Sequence, residues 1–282
     1  MSGRRLLFLV PLLLLALLAG MAPAHGDEAA DPPPAQDKHG SWFPFLSWTD
    51  HIWGLSIRGV EVGSGPNRVI GSDKLVHQLR LVAGVRSIEL EGPIDLVLRQ
   101  GQAEKLTVHT DDNIAPFIET TVRDGVLHIG IQPGANFRTR HPIGISAELA
   151  RLDGVKLLGS GDVTCAQFNT ELLEITIIGS GNARFDALDA KALAVLLQGS
   201  GDVHLSGHAA SQGYVIEGSG DVDAGELVGR ELAVRIEGSG DAKVWATEKL
   251  VVDVSGTGDV VYRGSPALKK SLSGTGSVRR QK

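Results

Sequence analysis

The chain has 282 residues and carries 33 acidic against 27 basic side chains, so it is mildly negative and long enough to bury a sizeable core. This balance argues against a nucleic-acid-binding protein, which would present a basic face. Cys165 is the only cysteine, so an intramolecular disulfide is excluded and packing must stabilise the fold. We expect Cys165 to be a small buried core residue, with a reactive thiol as the alternative.

The first 24 residues have the organisation of a secretory signal peptide. Arg4 and Arg5 precede an apolar run over residues 6–18, and Ala22-Pro23-Ala24 supplies a small-x-small cleavage pattern. The run is about 13 residues long, which is shorter than the ~20 residues a membrane-spanning helix needs. The sequence therefore predicts cleavage after Ala24, a mature chain without a transmembrane segment, and a periplasmic or secreted protein.

Two segments lie between the signal peptide and the predicted domain. Residues 25–41 are rich in Pro, Ala, Asp and Gly, which indicates an extended or disordered linker. Residues 42–78 begin with a crowd of aromatic side chains: Trp42, Phe43, Phe45, Trp48 and Trp53. This segment predicts a cap, or flap, over the open end of the following domain; the alternative is a patch that binds a partner or stacks on carbohydrate.

Residues 79–151 show short, less regular strands joined by turns. Period-two alternation or β-branched side chains predict strands at 88–91, 94–98, 106–109, 126–131 and 143–147. Asp124-Gly125 predicts a hairpin turn. Residues 113–119 predict at most one helical turn.

From residue 152 to residue 282 the chain repeats Gly-Ser/Thr-Gly followed by a small polar residue. The first glycines of the motif are Gly159, Gly179, Gly199, Gly218, Gly238, Gly256 and Gly274, at steps of 18 to 20 residues. So regular a period indicates stacked coils, each lying on its neighbour. A separate Gly63-Ser64-Gly65 follows Glu61 instead of an aliphatic residue, so we expect a turn outside the repeat.

Alignment of the repeats on the first glycine shows which side chains face the core. Positions six, four and two before it are mainly aliphatic, as in Leu193, Val195 and Leu197, while the residue directly before it is mostly polar. A second apolar position follows the aspartate, as in Val203. Each coil is therefore predicted to hold a strand of about six residues, a glycine corner and a strand of about four, paired in parallel at ~4.8 Å per coil. The corner needs positive φ or passages too tight for a Cβ, so glycine should matter there more than serine.

A polar column accompanies the corners: Asp162, Asn182, Asp202, Asp221, Asp241, Asp259 and Ser277. Carboxylates ~4.8 Å apart repel by roughly 0.9 kcal/mol in water, so the column needs compensation. We expect each side chain to accept hydrogen bonds from N–H groups of its own turn. The alternative is a bridging cation such as Ca²⁺.

No residue is predicted to be catalytic, cofactor-binding or metal-ligating. The Gly-x-Gly corners lack the third glycine and the helix of a nucleotide loop, and no Gly-x-Ser-x-Gly or Ser-His-Asp arrangement is visible. His204 and His208 lie on a strand and a loop, not on one helical face, so a metal site there is not expected.

Basic side chains gather in the last coil: Lys269, Lys270, Arg279, Arg280 and Lys282. A terminal coil offers unpaired N–H and C=O groups to any other strand, and charge is a usual protection for such an edge. We interpret the cluster as protection against end-to-end growth. The alternative is attraction to an acidic surface, such as anionic lipid headgroups or envelope polysaccharide.

The serial Gly-Ser-Gly-Asp corners, together with the stretches 92–98 and 124–129, resemble the putative auto-transporter adhesin, head GIN domain family. The resemblance covers roughly residues 79–282. It implies an all-β protein, a right-handed parallel β-solenoid (β-helix) with 18–20 residues per coil, exported by a bacterium and without established catalytic residues. Because the chain ends within its last coil, we expect no C-terminal translocator barrel.

These observations predict a non-enzymatic, exported envelope protein whose β-solenoid is a scaffold for adhesion or binding. The alternative is a carbohydrate-active enzyme or polysaccharide-binding protein built on a β-helix. No cofactor and no nucleic-acid partner are expected. Envelope polysaccharide or another protein is the partner class that fits.

Overall fold

The computed structural model describes residues 59–281, and these residues form an almost all-β structure. The first half of the strands are β1 (Val60–Val62), β2 (Val69–Ile70), β3 (Leu75–Leu81), β4 (Ser87–Glu91), β5 (Asp95–Gln100), β6 (Lys105–Asp111), β7 (Ile118–Arg123), β8 (Val126–Ile131), β9 (Phe137–Thr139) and β10 (Gly144–Leu149). The second half are β11 (Gly154–Gly159), β12 (Val163–Cys165), β13 (Phe168–Gly179), β14 (Ala183–Gly199), β15 (Val203–Gly218), β16 (Val222–Gly238), β17 (Ala242–Gly256), β18 (Val260–Arg263), β19 (Ala267–Gly274) and β20 (Val278–Arg280).

The repeat folds as the predicted parallel β-solenoid, of about six turns. Equivalent glycines of successive coils are partners in the ladder, so Gly179 pairs with Gly199 and Gly199 with Gly218. No register slip accumulates along the corner, because steps of 18 to 20 residues are absorbed by irregularities elsewhere in the coil, such as the shift after Phe185. The all-β solenoid architecture is thereby confirmed.

The coils between residues 163 and 256 contain three ladder runs where two were predicted, and the last described coil contains two. Val163–Cys165 pairs with the next coil after the corner, residues 168–170 pair beyond a bend, and residues 172–179 form the longest run before the following corner. The prediction of one strand of six and one of four residues is therefore wrong. The stretch 168–170 was missed because it is only three residues long, two of them are polar, and a bend at residue 166 separates it from the preceding run. We name the longest run, which ends at the first glycine of each corner, the third ladder.

The core is built from the side chains that the alignment placed inward. Leu193, Val195 and Leu197 are fully buried, and Cys165 is buried among core residues as predicted. One coil replaces two aliphatic side chains by Gln212 and Tyr214. The Tyr214 hydroxyl donates to the Gln212 side-chain oxygen at 2.7 Å, so the buried polar pair is satisfied within the core.

The corner glycines are required by both backbone conformation and space. Gly199 has φ +137°, a conformation that side chains with a Cβ rarely adopt. A Cβ on Gly199 would clash with the carbonyl oxygen of Gly179, and one on Gly201 would clash with the carbonyl oxygen of Gly181. Ser200 is exposed between them, which explains why threonine replaces serine in later coils.

The less regular strands form the upper coils of the same stack. β8, β4, β11 and β13 pair in parallel in that order, and β5 pairs in parallel with β12. All five predicted strands of this region are confirmed as β4, β5, β6, β8 and β10. The hairpin at Asp124-Gly125 joins antiparallel β7 and β8 with positive φ at both turn residues, and the helical turn is a short 3₁₀ helix at Ala115–Phe117.

Antiparallel strands close the upper end. β3 pairs antiparallel with β6, and β6 pairs antiparallel with β10. A small separate sheet has the order β1-β9-β2, and the Gly63-Ser64-Gly65 turn lies between β1 and β2, outside the stack as expected. Thus residues 60–81, which include the end of the predicted cap segment, pair with strands of the domain; residues 42–58 lie outside the described residues.

The lower end finishes on a fully exposed strand. Every residue of β19 is exposed, and Leu272, in an inward position, keeps 42 % of its surface accessible. Within residues 59–281 no helix is long and apolar enough to cross a membrane.

Candidate interaction surfaces

The polar column forms a hydrogen-bonded ladder along the corners. The Asp202 side chain accepts from the backbone N–H of Asp221 at 3.0 Å, and the Asp221 side chain accepts from the N–H of Asp241 at 2.8 Å. The same contact recurs in every coil from Asp162 to Ser277. The N–H donors thus belong to the next coil, not to the residue's own turn as predicted.

The donors differ from the prediction because the turn's own N–H groups are already used. The Ser200 N–H donates to the carbonyl of Gly179 at 2.9 Å, and Ser219 and Ser239 repeat this contact with the preceding coil. The equivalent aspartate N–H one coil away is then the donor within reach of the carboxylate. Each N–H offers local compensation for the negative column. A cation bridging the remaining oxygens stays a prediction.

The ladder begins one coil earlier than the sequence motif. The Asp95 side chain accepts from the N–H of Asp162 at 3.1 Å, so Asp95 is the first rung. Gly92-Pro93-Ile94-Asp95 keeps only the first glycine and the aspartate of Gly-Ser-Gly-Asp, which is why the motif alone does not extend to it. The sequence signal for this first rung is an aspartate that stands three residues after a glycine at the end of an apolar strand.

Three polar side chains meet on the outer face of the upper end: His77, His109 and Ser146. Ser146 Oγ lies 2.9 Å from His109 Nε2, and His109 Nδ1 lies 2.5 Å from His77 Nδ1. Burial, and then the neighbouring His77, lower the pKa of His109. A neutral imidazole next to a hydroxyl can accept the hydroxyl proton. The contact therefore contains two parts of a nucleophilic site, with Ser146 as nucleophile and His109 as base.

The remaining parts of such a site are not found around Ser146 in the described chain. The orienting group is an imidazole instead of a carboxylate, so it would not stabilise the imidazolium that proton transfer creates. Ser146 lies in β10, between β5 and β6, where the strand pairs on both edges. The backbone N–H groups of β10 around Ser146 therefore form hydrogen bonds within the sheet, and none of them is free to bind an oxyanion.

A second cluster joins the small sheet to the solenoid. Asp111 is fully buried; it accepts from the Thr139 hydroxyl at 2.5 Å, and its other oxygen lies 2.9 Å from His141 Nδ1. Asp73, Asp111 and His141 each bring one potential metal-ligand atom within 4.8 Å of the others. Both Asp111 oxygens are already engaged by protein groups, so the cluster is satisfied as a tie between β6 and β9. His204 and His208 belong to no comparable group within residues 59–281.

A shallow groove runs over the outer face of the third ladder. At its upper end Glu89 is bound by Lys156 at 2.8 Å and by His128 at 3.2 Å. Burial acts to raise the pKa of Glu89, but the contacts with Lys156 and His128 together hold it below its usual range. Below these residues the outward positions become buried. We name this part the outer trough; it comprises Glu174, Thr176, Ala194, Leu196, Gly213, Val215 and Ala233.

The last coil presents the basic cluster at the open end. Lys269, Lys270, Arg279 and Arg280 are all exposed, and Arg280 donates to the Ser265 hydroxyl at 2.7 Å. Lys270 pairs with the inward-facing Val252 of the coil above, so a charge stands where the core would continue. A charge at an inward position disfavours addition of another strand, so protection of the edge stays a prediction, as does attraction to an acidic surface. Lys282 lies outside the described residues.

Most of the solenoid matches a known protein family. The family model described as "Putative auto-transporter adhesin, head GIN domain" matches residues 85–266. Among curated proteins, none matches the chain.

Solved structures share the fold over most of the described chain. A putative adhesin from Bacteroides fragilis is 28 % identical, with a TM-score of 0.70 over 76 % of this chain and 100 % of that one. A putative lipid binding protein from Parabacteroides distasonis is 24 % identical, with a TM-score of 0.65 over 77 % and 100 %. A putative adhesin from Parabacteroides merdae is 23 % identical, with a TM-score of 0.62 over 77 % and 100 %.

Proposed function

Because the chain belongs to the putative auto-transporter adhesin, head GIN domain family, we propose that it is a non-enzymatic envelope protein whose solenoid is a scaffold for adhesion or binding. The observation that carries the proposal is the unbroken register of the corners. Gly159 to Gly274 stack without slip, so outward side chains of successive coils stand in straight columns at ~4.8 Å spacing. Such columns offer a rigid, repetitive surface that loses little conformational entropy on binding.

The chemistry of the described surface supports binding over catalysis. Ser146 with His109 is the arrangement closest to a nucleophile, and it lacks both a carboxylate and free N–H donors. The exposed columns carry paired charges instead, such as Lys243 with Asp223 at 2.9 Å and Arg230 with Glu248 at 2.7 Å. Paired, solvated charges of this kind suit reversible recognition of polar partners.

Export forms part of the proposal and depends on residues 1–24. The positively charged start, apolar run and Ala22-Pro23-Ala24 pattern support cleavage after Ala24. Expression of the full chain in a bacterial host, followed by fractionation and N-terminal sequencing, checks this. A mature protein beginning at His25 in the periplasm or medium is expected; an uncleaved chain in the cytoplasm would contradict it.

The binding proposal is tested by presenting the mature chain to a glycan array and to purified envelope polysaccharide, with turnover assays on every hit. A lipid panel belongs in the same experiment, because the Parabacteroides distasonis protein of the same fold is described as a putative lipid binding protein. We expect saturable binding without product. Cleavage of a bound glycan that is lost in Ser146→Ala or in Glu174→Gln would favour the alternative, a carbohydrate-active enzyme.

A further inference from the structure

The two histidines of the upper end stand on neighbouring antiparallel strands. His77 in β3 is directly opposite His109 in β6, so the two side chains leave the sheet on the same face. Their ring centroids are 4.8 Å apart, the ring planes are inclined by 68°, and the two Nδ1 atoms approach to 2.5 Å. Two ring nitrogens therefore converge on one point at the outer surface of the sheet.

Facing ring nitrogens need a positive atom between them, because two lone pairs repel each other. A proton carried by one ring and donated to the other is one solution. A divalent transition metal is the second, because the neutral imidazole nitrogen is a common ligand of Zn²⁺, Cu²⁺ and Ni²⁺. The second solution requires that both rings direct an Nδ1 lone pair at the same point.

Ser146 in β10 supports the ring of His109 in the orientation that a metal ligand needs. Its Oγ lies 2.9 Å from His109 Nε2 and can accept a hydrogen bond from Nε2–H. That tautomer leaves the Nδ1 lone pair of His109 directed at His77. Metal-binding histidines are generally held in this way, with the second ring nitrogen donating to an oxygen. Ser146 thus has the place of a positioning residue for the pair.

The surroundings of the pair leave room for a cation and its water ligands. His77 is exposed and His109 is half-buried, so solvent reaches the point between the rings. Lys105, on the same face of β6, is paired with Glu148 at 3.1 Å. Arg80 of β3 lies on the opposite face, where it donates to backbone carbonyls. Neither of these cations is directed at the pair.

We propose that His77 and His109 bind one divalent transition-metal ion, Cu²⁺ or Ni²⁺, between their Nδ1 atoms, with water in the remaining positions. Metal–nitrogen bonds of about 2.05 Å that meet at a right angle place the nitrogens about 2.9 Å apart, and a tetrahedral angle places them about 3.3 Å apart. From 2.5 Å the rings must separate by about 0.4 Å for the first geometry and by about 0.8 Å for the second. The close approach therefore favours the right-angled coordination of Cu²⁺ and Ni²⁺ over tetrahedral Zn²⁺.

A bound ion would link β3 to β6 across the ladder. The two histidines are 32 residues apart in sequence, so the unfolded chain does not hold them together. The ion would therefore bind the folded chain in preference and raise its stability. Because two histidines leave several coordination positions to water, the ion would also be open to a donor atom of a further ligand.

The affinity for Cu²⁺ is measured by titration calorimetry on the mature chain, residues 25–282, without an affinity tag. We expect binding to be at least about tenfold weaker in His77→Gln and in His109→Gln than in wild type. The matched control is His208→Gln, which removes an exposed histidine of β15 and should leave the affinity unchanged. Ser146→Ala keeps both ligands and should weaken binding by about tenfold.

Thermal melts distinguish this site from histidines that bind metal whether or not the chain is folded. Ni²⁺ is the probe, because unlike Cu²⁺ it does not oxidise the thiol of Cys165 as the chain unfolds. Excess Ni²⁺ should raise the melting temperature of wild type and His208→Gln by at least about 3 °C and leave that of His77→Gln unchanged. The amino terminus with His25 would bind Ni²⁺ in both states and would cause no shift.

Three results would overturn the metal site. The first is a Cu²⁺ affinity that His77→Gln leaves unchanged, and the second is a melting temperature that Ni²⁺ does not raise in wild type. The third is a rise that persists in His77→Gln but is lost in His141→Gln, which would assign the ion to the cluster of Asp73, Asp111 and His141. Because His77 is exposed, we expect His77→Gln to fold, and circular dichroism checks this. None of these results decides the scaffold proposal, which does not depend on the histidine pair.

Discussion

The two ends of the solenoid solve the problem of an open sheet edge in different ways. At the upper end the parallel ladder turns antiparallel through β10, β6 and β3, and a small sheet is tied on through Asp111 and Thr139. At the lower end the ladders stop on β19 and β20, with Lys270 in an inward position, and no strand of the described chain pairs below them. A repeat therefore determines how coils stack, while the ends need sequences that break the repeat.

The contrast predicts that one substitution has unequal effects in a middle and a terminal coil. Gly199→Ala combines a φ of +137° with a backbone clash, and should lower the free energy of unfolding by about 4 kcal/mol. Gly274→Ala meets the same φ region and the same clash in a coil that can fray, so its effect should be much smaller. Urea unfolding followed by circular dichroism measures both. Ser200→Ala is the control, with a change within about 0.5 kcal/mol; equal losses at both glycines would break the comparison.

Core truncation sharpens the same contrast. Leu197→Ala removes a fully buried side chain and should cost about 3 kcal/mol. Leu272→Ala occupies the equivalent position with 42 % of its surface exposed, so we expect less than about 1 kcal/mol. The urea concentrations at which the two variants are half unfolded test this difference. Similar losses would mean that the lower coil is covered in solution.

The outer trough adds a pH dependence that an exposed outward carboxylate should not show. Because burial raises the pKa of Glu174 to about 8, the folded state holds a proton that the unfolded state has released above its ordinary value near 4.5. Stability from this group is therefore fully present below pH 4.5 and is lost as the pH rises through 8. Glu174→Gln should weaken the decline of the melting temperature between pH 4.5 and pH 8. Asp253→Asn, at an exposed outward position, is the control; an unchanged slope in Glu174→Gln would contradict the raised pKa.

The smallest expected effect on stability is at the basic end, where association is the informative measurement. Lys270→Leu restores an apolar inward side chain on the exposed edge, and should promote end-to-end dimers at high concentration. Lys269→Leu removes the same charge from the outward position beside it. Sedimentation velocity distinguishes the two variants. Association of Lys269→Leu as strongly as Lys270→Leu would show that net charge, not the inward position, protects the edge.

The repeat made much of this fold predictable, because one alignment placed Leu197, Val195 and Val203 inward and the glycines at the corner. Pairings that no period encodes were missed: Val60 with Thr139 joins two short strands far apart in sequence. The aspartate donors were misassigned because hydrogen bonding depends on which N–H groups the corner leaves free. The trough was missed although Leu196 and Val215 stand in equivalent outward positions of adjacent coils, because the residue directly before the glycine on that face is mostly polar and indicates a solvated surface.

The aspartate ladder also gives the stack a direction. Each rung offers its acceptor to the coil that follows in sequence, and the corner glycine does the same through its carbonyl. A chain that emerges from a ribosome or a secretion channel with its N-terminus first would thus present a finished template to every new coil. Asp95 would start the series and Ser277, whose N–H is the last donor, would end it. Growth by this rule is vectorial, like the elongation of a filament from a seed, and it allows the molecule to assemble while it is still being delivered.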